Sequence, residues 1–137
     1  MTIDYKAIEE AYEFVSAGPL YEHSALLDRV TGAVLLHSES GDLDEFPEVI
    51  DPDRFLEIPT RSELHLGKTL VLSFVAAYAP AAFGEVLDLF SRKGAYPRFK
   101  QFLDRNGLVD RWYAYEGEET EKALRGWCAA RGLSVAG

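Results

Sequence analysis

The stretch SALLDRVTGAVLLH, residues 24–37, decides the fold class. It contains two short apolar runs, Ser24–Asp28 and Ala33–His37, on either side of the polar connection Arg29-Val30-Thr31-Gly32. Two runs of β-compatible residues around a short glycine-containing turn predict an antiparallel hairpin. Gly32 can adopt the positive φ that a short hairpin loop requires. The sequence therefore predicts a small antiparallel sheet.

Helical patterns flank this hairpin on both sides. Before it, apolar residues recur at three- and four-residue spacing, which predicts a helix over about Asp4–Ala17. After it, Thr60 and Glu63 form a capping-box pattern, which predicts that the chain is helical from Thr60 onward. The helices expected there are one containing Leu70–Tyr78, and others over about Ala81–Ser91, from Tyr96-Pro97 to Asn106-Gly107, and Glu118–Arg131.

These elements predict an α+β fold. A small antiparallel sheet, formed by the hairpin and a possible third strand over Phe55–Ile58, is expected to pack against about five helices, and the C-terminal half is expected to be all-helical. An acidic loop over residues 39–53 connects the two parts. The chain of 137 residues has the usual size of one domain, so a single domain is predicted over residues 1–137.

The charge of the chain is strongly polarised. The net charge is −9, which argues against affinity of the whole surface for nucleic acid or anionic lipid. Residues 1–91 contain 17 acidic and 5 basic side chains, whereas residues 92–137 contain 6 acidic and 9 basic ones. A basic surface is therefore expected only in the C-terminal third.

Composition also indicates the compartment. Cys128 is the one cysteine of the sequence, so it cannot form an internal disulfide, which fits a reducing cytoplasm. The most apolar stretch, Leu70–Ala82, has 13 residues and is shorter than the roughly 20 that span a bilayer. A cytoplasmic protein that does not enter the membrane is predicted, and no signal peptide is expected at the N-terminus.

Two motifs that suggest a ligand are incomplete. Gly67-Lys68-Thr69 before an apolar helix is similar to the end of a phosphate-binding loop, but Ser62 stands where that loop needs a glycine. The acidic stretch from Asp42 to Asp53 has no glycine at the position where a calcium loop requires one. We therefore predict no nucleotide site, no metal site and no cofactor.

No catalytic group is predicted either. His23 and His37 flank the hairpin strands and could face each other across the ladder, but two imidazoles without a third ligand do not make a zinc site. Cys128 lies on the inward stripe of its helix, which indicates an inert buried thiol. None of the serines has the flanking glycines of a nucleophile elbow. The chain is expected not to be an enzyme.

The C-terminal block, residues 92–131, combines basic and aromatic side chains. The residues we single out as a candidate binding surface are Arg92, Lys93, Arg98, Lys100, Arg111, Trp112 and Tyr113. Bases interleaved with rings are typical of single-stranded nucleic-acid surfaces. The helical spacing of Phe99, Phe102 and Leu103 equally allows the bases to be only the solvated face of a helix, or to dock on the acidic loop.

In this block the chain resembles a bacterial group catalogued as uncharacterised protein family 0158. The residues that carry the resemblance are GAYPRFK at 94–100, WYAY at 112–115, and WC at 127–128 before GL at 132–133. The sequence departs from the pattern at Tyr96, at Pro97, where the family has a base, and at Gly126. The resemblance implies one intact domain and no particular activity.

The functional hypothesis is a non-enzymatic binding or regulatory domain that contacts another protein or a second copy of itself. Tyr96, Trp112, Tyr113 and Tyr115 are candidate contact residues, because aromatic side chains dominate interface energetics. The alternative is a nucleic-acid or polyanion binder that uses the bases of the C-terminal block.

Overall fold

The computed structural model describes residues 2–19 and 22–137, which form the predicted α+β fold. The elements are β1 (Thr2–Asp4), α1 (Tyr5–Ser16), β2 (His23–Asp28), β3 (Val34–Ser38), β4 (Phe55–Glu57), α2 (Lys68–Tyr78), a 3₁₀ turn (Pro80–Ala82), α3 (Phe83–Leu89), α4 (Ala95–Arg105), α5 (Val109–Ala130) and β5 (Ser134–Ala136). They divide into two compact units. The first comprises the described residues up to Leu64 together with Glu121–Gly137, and the second comprises His65–Thr120. The single domain expected over residues 1–137 stays a prediction.

The sheet of the first unit has the order β3-β2-β4, with both pairs antiparallel. Ala25 of β2 lies opposite Leu36 of β3, and Leu27 lies opposite Leu56 of β4. Ala25 and Leu27 are completely buried, so the central strand supplies the core of this unit. The predicted hairpin and third strand are confirmed, and Gly32 has the positive φ of 78° that its turn requires.

Helix α1 lies against β2 and β3. The Asp4 carboxylate accepts a hydrogen bond from the Lys6 N–H at 3.1 Å, which caps the helix. The apolar stripe of α1 is buried and consists of Tyr5, Ile8, Ala11, Tyr12 and Val15. Leu124, Trp127 and Cys128 from the end of α5 are also buried in this unit.

A parallel pair of strands was not predicted. β1 pairs with β5, and Ile3 lies opposite Val135. Strands of three residues are too short to show a readable alternation, and the two partners come from opposite parts of the sequence. The pair adds a strand to the C-terminal half, which was expected to be helical throughout.

The ring of Tyr5 is held under Arg125. The guanidinium carbon of Arg125 lies 4.1 Å from the ring centroid, and Tyr5 is only 4% exposed. Burial, followed by the negative charges of Glu9 and Glu121, raises the pKa of Tyr5 to about 12. Its hydroxyl makes no well-formed hydrogen bond among residues 2–19 and 22–137, although the Glu9 side chain lies near enough to contribute to the raised pKa.

Replacing Tyr5 with phenylalanine is expected to leave the stability at pH 7 unchanged or slightly higher, because an unpaired buried hydroxyl costs free energy. The raised pKa means that the folded protein binds this proton more tightly than the unfolded chain does. The wild type therefore loses stability as the pH rises from about 10 to about 12, and the variant is spared that loss. Urea denaturation at pH 7 and pH 10.5 measures both effects. A variant less stable than the wild type at pH 7 would show that the hydroxyl has a partner.

The second unit is a helical cluster with an aromatic core. Phe74 of α2 is fully buried, and its ring centroid lies 5.0 Å from that of Tyr78, 5.2 Å from that of Trp112 and 5.3 Å from that of Tyr115. Trp112 also meets Phe99 of α4 edge to face at 5.1 Å. These contacts join α2, α4 and the beginning of α5.

The helix predicted from Thr60 begins later. The capping-box hydrogen bonds do form, since the Glu63 N–H donates to Thr60 Oγ1 at 3.2 Å and the Thr60 N–H donates to Glu63 Oε1 at 3.3 Å. They stabilise only a turn over residues 61–65, and α2 starts at Lys68. His65 has a φ of 56°, a left-handed value that a right-handed helix cannot contain.

The last helix is longer than predicted. We expected it to begin at about Glu118, but α5 begins at Val109 and runs continuously through Gly117. The added turns bring Trp112 and Tyr115 to the side of Phe74. Burial of these rings outweighs the weak helix propensity of tryptophan, tyrosine and glycine in this segment.

Candidate functional site

The predicted basic residues of α4 lie on two different flanks of that helix. Its inner face is apolar, and each residue of that face is 1% exposed: Phe99, Phe102 and Leu103. Successive helical residues are rotated by about 100°, so Arg98 and Lys100 are about 160° apart around the axis. Arg98 instead shares its flank with Gln101 and Arg105, which follow it by three and seven positions. The predicted surface is thus divided.

One flank of α4 lines a groove. The groove has a volume of about 520 Å³ and is lined by Leu89, Arg98, Gln101, Asp104 and Arg105. Leu89 comes from the end of α3, and the other four side chains come from α4. The helical phase of α4 therefore places two guanidinium groups, one amide and one carboxylate beside an apolar residue. We call this feature the α4 groove.

The charges of the α4 groove are only weakly neutralised. Arg105 Nη2 lies 3.7 Å from Glu85 Oε1, and both side chains are more than half exposed. Exposed pairs of this kind are worth at most about 1 kcal/mol, so Arg105 can exchange its partner at little cost. Arg98 has no ion pair or side-chain hydrogen bond to any residue in the described part of the chain.

The two bases before α4 do not line the groove. Arg92 Nη2 forms an exposed i,i+4 ion pair with Asp88 Oδ2 at 3.0 Å. Lys93 is exposed in the turn between α3 and α4, and it has no ion pair within residues 2–19 and 22–137. These two residues can add to the positive potential near the groove but do not shape it.

The structure separates the predicted residues of α5. Trp112 is 5% exposed and is part of the aromatic core, so it cannot stack on a base at the surface. The guanidinium carbon of Arg111 lies 4.9 Å from the ring centroid of Tyr78. Tyr113 is 53% exposed and remains available as a contact residue. Consecutive residues of a helix point in different directions, which explains why these three do not form one surface.

A second exposed feature is the acidic segment, residues 42–53, which contains six acidic and no basic residues. Its first part is fixed to β3, because the Ser38 N–H donates to the Leu43 carbonyl at 2.8 Å and the Glu45 N–H donates to the Leu36 carbonyl at 2.9 Å. Its last part is fixed by Asp51, whose carbonyl accepts a hydrogen bond from the Phe55 N–H at 2.9 Å.

The two hairpin histidines do not face each other. His23 pairs with Ser38, and His37 pairs with Ser24. The His23 ring packs on Phe14 and donates to the Ala17 carbonyl at 2.8 Å. The two ring nitrogens of His37 each lie 3.2 Å from a carboxylate oxygen, one of Asp44 and one of Glu39. The His37 ring also stacks on that of Phe46, with 5.1 Å between the ring centroids. His37 therefore helps to hold the acidic segment on β3.

The titratable groups with shifted pKa values lie outside the α4 groove. Burial raises the pKa of the Cys128 thiol, and burial together with Glu119 raises the pKa of Tyr115. Hydrogen bonds from Arg54, opposed by burial, hold the pKa of Asp28 far below its usual value. Each shift has a local structural cause. Asp28 is paired with Arg54, a guanidinium group that stays protonated, so the pair is an ion pair and not an acid–base couple.

No group of three or more histidine, cysteine, aspartate or glutamate side chains within residues 2–19 and 22–137 is arranged to hold a metal ion. In the same part of the chain, the helices are all too short or too polar to cross a membrane.

Comparison with known proteins gives no relative, since no family model, no curated protein and no solved structure matches this chain. The class of the protein is therefore defined by its own features, an α+β fold with a basic groove on one helix and an ordered acidic loop on one sheet.

Sequence reasoning missed part of this site. Leu89, Gln101 and Asp104 line the α4 groove, but none of them was singled out. The spacing of Arg98, Gln101 and Arg105 contained a signal, because residues three and seven apart share one flank of a helix. The contribution of Leu89 had no such signal, since it depends on how α3 and α4 pack.

Proposed function

We propose that this chain is a non-enzymatic protein-binding domain of the cytoplasm, and that it contacts its partner through the α4 groove. The observation that carries the proposal is the combination of Leu89 with Arg98 and Arg105 in one open groove. Arginine is one of the residue types that are enriched in interface hot spots. Arg98 is the strongest candidate, because its guanidinium group has no partner to give up among the described residues.

A protein partner is favoured over a nucleic acid by the positions of the rings. Phe99, Phe102 and Trp112 are buried, so the interleaved bases and rings of the sequence do not form one stacking surface. A protein surface can instead offer a mixture of carboxylate and apolar groups.

The cytoplasmic location is supported by the state of Cys128, which is free and buried. Burial raises the pKa of its thiol and so disfavours the reactive thiolate, which fits a structural rather than a redox role. We also retain as a proposal the relationship to uncharacterised protein family 0158, which is supported by the residue pattern of the C-terminal block. That relationship contributes no activity.

The proposal predicts that reversing the two groove charges abolishes partner binding. In affinity pull-downs from the native cell, the Arg98→Glu/Arg105→Glu variant is expected to recover the specific co-purifying protein at least tenfold less than the wild type. Lys93→Glu/Lys100→Glu is the matched control, because it changes the net charge equally at exposed positions outside the groove. Equal recovery by the wild type and the groove variant would refute the groove as the binding site.

The second candidate function is binding of a nucleic acid or another polyanion, favoured by the exposed bases Arg92, Lys93, Arg98, Lys100 and Arg111. Such binding should weaken linearly with the logarithm of salt concentration, because phosphate contacts release counterions. Single-stranded DNA and RNA oligonucleotides at low salt provide the test. Absence of any complex eliminates this candidate, and steep salt dependence of a complex would favour it over the protein-binding proposal.

A further inference from the structure

We propose that the occupant of the α4 groove is the acidic segment, residues 42–53, of a second copy of this chain. This inference rests on the protein-binding function proposed above and names the partner. Each contact would place the acidic segment of one copy in the α4 groove of another.

The acidic segment presents apolar side chains on an ordered loop. Val49 is 82% exposed and Ile50 is 45% exposed, and they lie next to each other between the two fixed parts of the segment. Leu43 in the same segment is 37% exposed. Exposed aliphatic groups that are close together and surrounded by charges are typical of interaction surfaces. Because hydrogen bonds already hold the loop on both sides, binding would require little additional ordering.

The α4 groove has the complementary composition. It offers Leu89 to an aliphatic side chain and Arg98 and Arg105 to carboxylates, and these two guanidinium groups outnumber the one carboxylate of the groove, Asp104. Glu48 precedes Val49 and Asp51 follows Ile50, so an acid stands on each side of the exposed pair. Opposite charges around an apolar contact determine orientation and exclude other partners. The chain thus contains both halves of one interface.

Long-range repulsion between copies opposes this contact, because each copy has a net charge of −9. At about 0.1 M salt the Debye length is about 10 Å, which screens the repulsion between the distant charges but not the contacting pairs. A loop in a groove buries less area than a standard interface, so the dissociation constant is expected to lie roughly between 1 μM and 1 mM. Self-association should therefore be reversible and depend on concentration.

Sedimentation velocity at about 0.1 M salt tests the proposal over a range of protein concentrations. The wild type is expected to shift toward larger species as its concentration rises. Arg98→Glu/Arg105→Glu is expected to weaken association at least tenfold, and Val49→Ser is expected to weaken it roughly fivefold through lost apolar burial. Lys100→Glu/Lys122→Glu is the control of equal net charge and should associate more strongly than the groove variant. Circular dichroism confirms that each variant is folded.

A mixing experiment identifies the two surfaces directly. Glu48→Lys/Asp53→Lys reverses two exposed acids of the segment, and this variant alone is expected to be monomeric. When it is mixed with Arg98→Glu/Arg105→Glu, complexes should form, because the intact segment of one variant meets the intact groove of the other. The remaining contact then pairs lysines with glutamates and is also favourable. Failure of the mixture to associate would overturn the assignment of the two surfaces.

The outcomes separate this inference from the proposed function. A wild type that is monomeric at all concentrations overturns self-association, as does self-association that the groove variant leaves unchanged. In either case only the pull-down tests the proposed function. That function would be supported by a protein, other than a second copy of this chain, that the wild type recovers and the groove variant does not. If the wild type associates, the groove variant does not, and the mixture recovers association, the second copy is the partner.

Discussion

Replacement of Phe74 with alanine is expected to lower the free energy of unfolding by about 3–5 kcal/mol, the range observed for buried phenylalanine. Phe74 is completely buried, and its ring contacts those of Tyr78, Trp112 and Tyr115. Removing it leaves a cavity among these rings, which adds to the cost of the lost burial. Since domains have a total stability of roughly 5–15 kcal/mol, this one change removes a large fraction of it.

Urea denaturation followed by tryptophan fluorescence measures this effect, because Trp112 touches the altered position. Tyr113→Ala is the matched control, since Tyr113 is also aromatic but is 53% exposed. This control substitution is expected to change the free energy of unfolding by no more than about 0.5 kcal/mol, as surface substitutions generally do. A loss below about 1 kcal/mol for Phe74→Ala would mean that this residue is not central to the core.

The second large effect is expected at Asp28, where the substitution Asp28→Asn should destabilise the first unit clearly at pH 7. The buried Asp28 carboxylate accepts two hydrogen bonds from Arg54, from Nε at 3.0 Å and from Nη2 at 2.8 Å. It also accepts the Val30 N–H at 2.8 Å within the hairpin turn. Asparagine keeps an acceptor for the turn but removes the charge that pairs with Arg54. The carboxylate therefore joins the hairpin turn to the segment that leads into β4.

The pH dependence of the same pair gives a second readout. The hydrogen bonds from Arg54 hold the pKa of Asp28 well below its usual value, so the folded state binds this proton less tightly than the unfolded chain does. The stabilisation is complete above the unfolded-state pKa of about 4 and is lost as the pH falls below it. The difference in stability between the wild type and Asp28→Asn should therefore be largest near pH 7 and should become smaller as the pH falls into the acid range.

Thermal denaturation between pH 2.5 and pH 7 tests this expectation, with Asp53→Asn as the control because Asp53 is an exposed carboxylate in the same unit. The control should change the melting temperature little at any pH. Equal melting temperatures for Asp28→Asn and the wild type at pH 7 would contradict a stabilising role of the pair.

Much of the first unit could be predicted from local patterns. Gly32 marks the hairpin turn, and the stripe from Tyr5 to Val15 marks α1, because turn geometry and helical periodicity are properties of neighbouring residues. The pairing of β1 with β5 could not be predicted, since it joins residues that are distant in sequence. The left-handed backbone conformation of His65 could not be predicted either, because the capping box of Thr60 and Glu63 is compatible with a single turn as well as with a helix.

The candidate site was predictable in part. Arg98 and Lys100 were both singled out as exposed bases, which they are, but only Arg98 lines the α4 groove. Trp112 was expected at the surface and is buried, because α5 begins earlier than predicted and turns that ring toward Phe74. The face of a helix on which a residue lies can be predicted from the spacing of residues in the sequence. The residue at which the helix begins, and the elements that lie beside it, depend on tertiary packing.

The sequence by itself determined the fold class, the acidic character of the segment before β4, and the basic character of the C-terminal third. These properties depend on composition and on the order of nearby residues. Only the tertiary structure decided which bases share a surface, and that Val49 and Ile50 stand exposed while Trp112 is buried. Burial is settled by the whole set of side chains that compete for the same interior, and that competition involves residues far apart along the chain.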